Sequence, residues 1–324
     1  MLSRRQVVLA FGAGVIVSPH SNGQQKTNAV PRIGVLLSTS SVRLEPLRRG
    51  LRELGYVEGK NISLEFRAAE GNIDRLPVLA TQLVNLGVAV IVTAGSTAIR
   101  AARGATTTIP IVFAGTGDPV SNGFVASLAK PGGNTTGLSM MTTETSAKHL
   151  EFLREYLPKL SKVALLGNTN SSTHDAILEK VRSTSQRMGI AVVPFDVHNS
   201  DDVERSISAM KMQAIRAMIV ASDAFLFSAG RQIAELALKY RLPAISPFMN
   251  FAEFGGLMSH GNDLADLWRR SAAYVDKILK GANPADLPVE QPTKFELVIN
   301  LKTANEIGIK IPQSLLLRAD KVIE

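Results

Sequence analysis

Short apolar runs alternate with amphipathic stretches along most of this chain, and the alternation is played twice in the same order. Arg32-Ile-Gly-Val-Leu-Leu37 reads as a buried strand, and Val42 to Leu54 as a helix with Leu44, Leu47, Leu51 and Leu54 at helical spacing. A turn at Gly55–Gly59, a strand over Asn61–Arg67 and a helix over Asn72–Leu86 follow, with Gly87 suited to the helix stop. Val88–Val92 is a strand, Ser96–Arg103 a short helix, and Ile109–Phe113 a strand whose Pro110 favours an edge or a strand start. The pattern restarts at Lys162–Leu166: helix His174–Met188, strand Ile190–Phe195, helix Asp201–Met212, strand Ala217–Ala221, helix Ala224–Tyr240. Strands that alternate with helices imply a mainly parallel, doubly wound sheet. Two such halves imply two similar lobes. The alternative is one long sheet, but at 324 residues the chain exceeds the ~250–300 at which single cores stop growing.

The remainder of the chain extends this pattern. Gly256–His260 reads as a strand and Asp263–Lys280 as a helix with Leu264, Leu267, Trp268, Ala272, Val275 and Leu279 on one face. Pro284–Pro292 is extended, Phe295–Ile299 a last strand and Thr303–Ile307 a short helix. A strand and helix after two complete halves can return to the first lobe, and more than one crossing makes a hinge.

The start of the chain is different in kind. Met1-Leu-Ser-Arg-Arg-Gln6 precedes the apolar run Val7–Val17, which is too short for the ~20 residues of a spanning helix. Residues 1–23 are expected to be a signal peptide, cut after Ser21-Asn22-Gly23, with Arg4-Arg5 as a twin-arginine feature; 24–31 are a linker. The alternative is an uncleaved amphipathic helix. The expected destination is the periplasm. The chain has no cysteine, which removes disulfides, thiolate metal sites and cysteine nucleophiles together, and no lipidated tether is available. A mature protein free of the membrane, monomeric, follows. The net charge is +8, two fewer once Arg4 and Arg5 leave with the leader. Those positives are interleaved with acids and form no basic run, so a solvated surface is expected and no nucleic-acid partner.

In open parallel sheets ligands sit beyond the carboxyl ends of the strands. The residues there are small and polar: Ser38 and Thr39 after the first strand, Gly95-Ser96-Thr97 after the third, Thr116 and Asp118 after the fourth. In the second half Asn168, Ser171, Ser222 and Asp223 hold the matching places. Gly95-Ser96-Thr97 opens a helix, where free N–H groups and the helix dipole favour a carboxylate. Asp118 and Asp223 are placed to face an ammonium. Each serine or threonine taken singly is also an ordinary helix cap, and Asp118 an ordinary cap of the turn before Pro119. Hydroxyl-rich loops at five corresponding strand ends point instead to a polar ligand cleft, which His174 and His260 also approach. Enzyme signatures are missing. There is no dinucleotide glycine fingerprint, no Walker loop, no nucleophile elbow and no zinc spacing among the histidines. A binding protein without a cofactor or metal is expected. A hydrolase using Ser38 or Ser96 is the rival, and it lacks a motif that places a base beside either serine. A periplasmic ligand sensor for a membrane receptor is the other.

Longer motifs then carry a resemblance. Gly55-Tyr-Val-Glu-Gly-Lys-Asn61, Ile109–Phe113 with Asp118-Pro-Val120, Pro131-Gly-Gly-Asn134, and the run from Asp286-Leu-Pro-Val-Glu-Gln-Pro to Asn300 are its most specific pieces. With these the chain, from about Arg32 to Glu324, resembles the type I periplasmic solute-binding proteins of ABC transporters, in the branch similar to tryptophan/tyrosine-binding proteins. The resemblance implies two doubly wound α/β lobes joined by a hinge of three crossings, with a ligand between them and an ABC permease as partner. It implies lobe I over 32–142 and 253–285, and lobe II over 143–252 and 286–324. His260 stands where this branch commonly has tyrosine. For an aromatic ligand, Phe225 and Phe248 are the candidate ring contacts.

Overall fold

The computed structural model describes residues 30–39 and 44–324. The expected leader, most of the linker, and Ser40 to Arg43 lie outside the described residues. The first sheet takes β1 (Arg32–Leu37), β2 (Ser63–Ala68), β3 (Val90–Thr93), β4 (Ile111–Thr116) and β5 (Thr135–Ser139). Helices α1 (Leu44–Glu53), α2 (Leu76–Asn85) and α3 (Ser96–Ala105) connect its strands. The strand order is β2-β1-β3-β4-β5, all parallel. Helix α4 (Thr142–Tyr156) then leads to the second set: β6 (Lys162–Gly167), α5 (His174–Arg187), β7 (Ala191–Asp196), α6 (Ser200–Met212), β8 (Met218–Val220), α7 (Ala224–Ser228), α8 (Gly230–Lys239) and β9 (Ala244–Ser246). The chain continues through α9 (Asn250–Glu253), β10 (Met258–Gly261), α10 (Leu264–Leu279), β11 (Glu296–Asn300), α11 (Leu301–Ile307), α12 (Gln313–Leu316) and β12 (Lys321–Ile323). The second sheet runs β12-β11-β10-β9-β8-β6-β7, with β11 antiparallel to β10. Stripped of β11 and β12, it repeats the order of the first. The two doubly wound lobes of the sequence reading are therefore present.

Local chemistry explains most boundaries. β1 and β3 are aliphatic and buried on both faces, as central parallel strands must be. β4 begins one residue after Pro110 and lies inside the sheet, so the proline marks a strand start. α6, α10 and α11 are capped by Asn199, Asp263 and Asn300, whose side chains accept first-turn N–H bonds. The helix expected over Ala224–Tyr240 is two helices that part at Ala229, next to Gly230, a residue that weakens helix interiors. β5 escaped the sequence reading because Thr135, Thr136 and Ser139 stand where aliphatics would signal a buried strand. All three are buried.

The lobe boundaries need two corrections. Residues 258–261 do not join the first lobe. β10 pairs parallel with β9, Met258 opposite Ile245, and antiparallel with β11, Met258 opposite Ile299. The chain recrosses only after Gly261, and α10 alone packs on the first sheet, where Leu267, Trp268, Ala272 and Val275 enter its core. Nor does the second lobe resume at 286. Leu287 O accepts from Thr136 Oγ1 at 2.6 Å, and Glu290 exchanges backbone bonds with Gly137 and Ser139 beside β5. The crossings thus fall near 140–141, 262–263 and 291–295. Met141 marks the first with a left-handed backbone, φ 49°, that non-glycine residues seldom adopt.

The return of α10 rests on close contact with α1. A side chain at Gly50 would put its Cβ 2.1 Å from the Arg269 carbonyl oxygen. Gly50→Ala must therefore push α1 off α10. Urea unfolding is expected to show a loss of about 1–3 kcal/mol, against near neutrality for Gly104→Ala, where nothing lies within 4 Å.

Candidate functional site

The sheet order reverses between β1 and β3 in the first lobe and between β6 and β8 in the second. The loops that leave the carboxyl ends of these four strands meet around one cavity, as such switch points should. Its volume of about 100 Å³ is several times the ~10–15 Å³ that one water needs, so it is a ligand-sized space rather than a packing flaw. Ser38 and Thr39 enter from β1, Gly95, Ser96 and Thr97 from the start of α3, and Thr116 from the end of β4. Ser171, Ser222 and Asp223 enter from the second lobe. Nine of the residues expected from sequence are thus brought together.

Three are not. Asn168 stands behind the wall and donates from Nδ2 to Asp223 Oδ1 at 3.2 Å. Asp118 is absent from the lining. Its carboxylate accepts from the N–H groups of Val120 and Ser121, both at 3.0 Å, and from Ser121 Oγ at 2.5 Å. It caps its own turn, the local role an aspartate before Pro119 favours. His260 lies on β10 among Phe152, His149 and Phe295, ring centroids 4.8, 5.6 and 5.9 Å away. Burial, then the charges of Lys148 and Arg318, push it down to about 4, so it is a neutral packing group near the crossings. His174 is buried at the start of α5 and is not in the lining.

Beyond Phe248, sequence reasoning missed the other half of the wall. Leu37, Met140 and Leu264 supply an apolar side, and Phe227 and Trp268 join Phe248 in supplying rings. Phe227 and Phe248 meet edge to face, 5.0 Å apart at 79°. Of the two ring candidates Phe248 lines the cavity and Phe225 does not. Trp268 was legible only as one of several apolar residues on a helical face. Its place in the site depends on α10 returning to the first lobe, which no local signal encodes.

The electrostatics are simple. Asp223 is the one ionisable side chain among the described lining residues. Its Oδ1 accepts the N–H bonds of Phe225 and Leu226 at 2.8 and 3.2 Å and so caps α7. Across the cavity, no side chain among the described residues caps the first turn of α3, which starts from Gly95 at φ 79°. Its first-turn N–H groups and dipole face the space as a seat for negative charge. Between these poles, Ser38 Oγ, Thr142 Oγ1 and Trp268 Nε1 are buried with no hydrogen-bond partner among the described residues. A buried polar atom left so costs about 1–3 kcal/mol. All three belong to the lining of the one cavity.

Two outcomes follow for the residues outside the wall. Asp118→Ala should cost roughly 0.5–2 kcal/mol in urea unfolding, as a lost cap does, while ligand affinity of the folded protein, measured by calorimetry, stays unchanged. His149 is fully buried. Its Nε2 lies 2.9 Å from the His260 carbonyl oxygen, which accepts, so Nε2 carries the hydrogen. Burial, then His260, pushes His149 down to about 3. The native state keeps this ring neutral while the unfolded chain takes up a proton below ~6.5. Stability from this group is therefore full above pH 6.5 and is lost as pH falls toward 3. Between pH 6.5 and 5 the loss should be roughly 2 kcal/mol, and His149→Gln should remove that share of the slope in urea melts.

The sequence and fold match known proteins over most of their length. A conserved domain protein from Vibrio cholerae superposes with a TM-score of 0.85 at 29% identity, covering 90% of this chain and 99% of that one. An ABC domain in complex with L-Trp from Streptococcus pneumonia superposes with a TM-score of 0.84 at 28% identity, with the same coverage. A tyrosine-binding protein of Clostridioides difficile is 25% identical over 296 residues, 90% of this chain and 85% of that protein. The model of the ABC transporter substrate binding protein family matches residues 39–323. The chain belongs to this family of solute-binding proteins.

Proposed function

We propose that the protein captures an amino acid with an aromatic side chain between its lobes in the periplasm and presents it to an ABC permease for import. The observation that carries this reading is the polarity of the cavity: the uncapped start of α3 on one lobe and the Asp223 carboxylate on the other. A zwitterion fits both poles, its carboxylate on the α3 amides and its ammonium on Asp223. Phe227, Phe248 and Trp268 offer ring faces and edges to a planar side chain. The relatives named for tyrosine and crystallised with L-Trp support the same class. Among the described residues, the wall contains neither histidine nor a second carboxylate to serve a nucleophile as base. The export leader over residues 1–23 belongs to this proposal, as does the permease. No helix among the described residues is long and apolar enough to cross a membrane.

The ligand would close the lobes by binding the closed form better than the open one. Removing the charge at Asp223 leaves an ammonium unpaired in that form, a loss of about 2–5 kcal/mol. Asp223→Asn should weaken L-tryptophan or L-tyrosine binding by roughly 30-fold or more, as ~1.4 kcal/mol is tenfold. Calorimetry on both proteins checks this. If the wild-type protein binds neither amino acid, the ligand class is wrong. If Asp223→Asn binds as the wild type does, the ammonium sits elsewhere.

A further inference from the structure

We propose that His198 is a positioning residue for Asp223, acting through Asn168, and that its charge state sets affinity for an ammonium-bearing ligand. The proposal rests on Asp223 being the ammonium partner. Three donors meet Asp223 Oδ1: the amides of Phe225 and Leu226 and Asn168 Nδ2. The two amides fix the oxygen to α7. Asn168 alone reaches it from another strand end, so its amide decides how the carboxylate is turned toward the cavity.

The Asn168 amide is in turn held from behind. Its Oδ1 accepts from Asn170 N at 3.0 Å and lies 3.3 Å from His198 Nδ1. On the far side of the ring, His198 Nε2 lies 2.9 Å from Asp196 Oδ2. An ionised carboxylate only accepts, so Nε2 carries a hydrogen. Burial opposes ionisation of Asp196, but two hydrogen bonds from Thr169, with His198 and His174 close by, hold its carboxyl below the usual carboxylate range.

Nδ1 then has two neighbours with opposite demands. Asn170 Nδ2, 3.2 Å away, is a donor and wants a lone pair. Asn168 Oδ1 is an acceptor and wants a hydrogen. A neutral ring satisfies Asn170 and sets two lone pairs facing each other across 3.3 Å. That contact is relieved if the Asn168 amide turns over, which puts its oxygen against Asp223 Oδ1. A protonated ring donates from Nδ1 to Asn168 Oδ1 and locks the NH₂ group on Asp223. The other ionisable groups around the ring are Asp202 on α6, which accepts the His198 backbone N–H and pairs with Arg205, and His174 on α5. The His198 side chain is 41% exposed, so solvent protons reach it.

The test has two readouts on wild-type protein and His198→Gln. In ligand-free protein, the Asn168 side-chain amide resonance should shift with pH in step with the His198 ring, and the shift should vanish in His198→Gln. By calorimetry, L-tryptophan should bind wild type about three- to tenfold more tightly at pH 5.5 than at 7.5, the size of one hydrogen bond, and His198→Gln equally at both. An Asn168 resonance indifferent to pH, or the same pH dependence of binding in both proteins, overturns the proposal. If L-tryptophan fails to bind while the Asn168 amide still follows His198, the relay stands and the ligand class falls.

Discussion

Parallel strands present their carboxyl ends on one side, and everything specific about this protein follows from aiming two such sides at each other. Each lobe alone has its small polar loops at a switch point, half a site that any doubly wound sheet offers. They become one cavity because the chain crosses between lobes three times, near 140–141, 262–263 and 291–295. The second crossing matters most for chemistry. It returns α10 to the first sheet and so sets Leu264 and Trp268 into the wall beside loops more than 100 residues earlier in the chain. The packing that permits this is the backbone approach of α1 and α10 at Gly50.

Much of this was legible in residues, and the gaps have physical causes. Aliphatic strands such as β1, β3 and β6 announce themselves because burial on both faces demands Val, Ile and Leu. β5 does not, because hydroxyls that bond to backbone can be buried as well. Thr136 Oγ1 bonds to Leu287 O and Ser139 Oγ to Gly117 O. The repeat of strand and helix foretold two lobes, and the rule of strand ends foretold Ser38, Ser96 and Asp223 in the wall. That rule reads chain position only. It cannot tell a capping carboxylate that lines the cavity from one that caps a turn outside it, so Asp118 and Asp223 looked alike. Nor can it place His260, since the strand that carries it joins the second sheet by pairing with β9 and β11, contacts set by residues far along the chain.

At the mouth of the cleft, Asn122 Oδ1 accepts from Ser172 Oγ of the second lobe at 2.9 Å. Close by, Gly117 has no room for a side chain: a Cβ would lie 2.6 Å from Thr142 Oγ1 and 3.1 Å from Thr173 Cγ2. These contacts bring the lobes together without fastening them. An exposed hydrogen bond of this kind contributes about 0.5–1.5 kcal/mol at most, while the closed wall strands Ser38, Thr142 and Trp268 at about 1–3 kcal/mol each. On the proposed reading, closure without an occupant runs against these polar atoms, and an occupant that satisfies them would reverse the balance. Ring contacts with Phe227, Phe248 and Trp268 alone would leave that penalty standing.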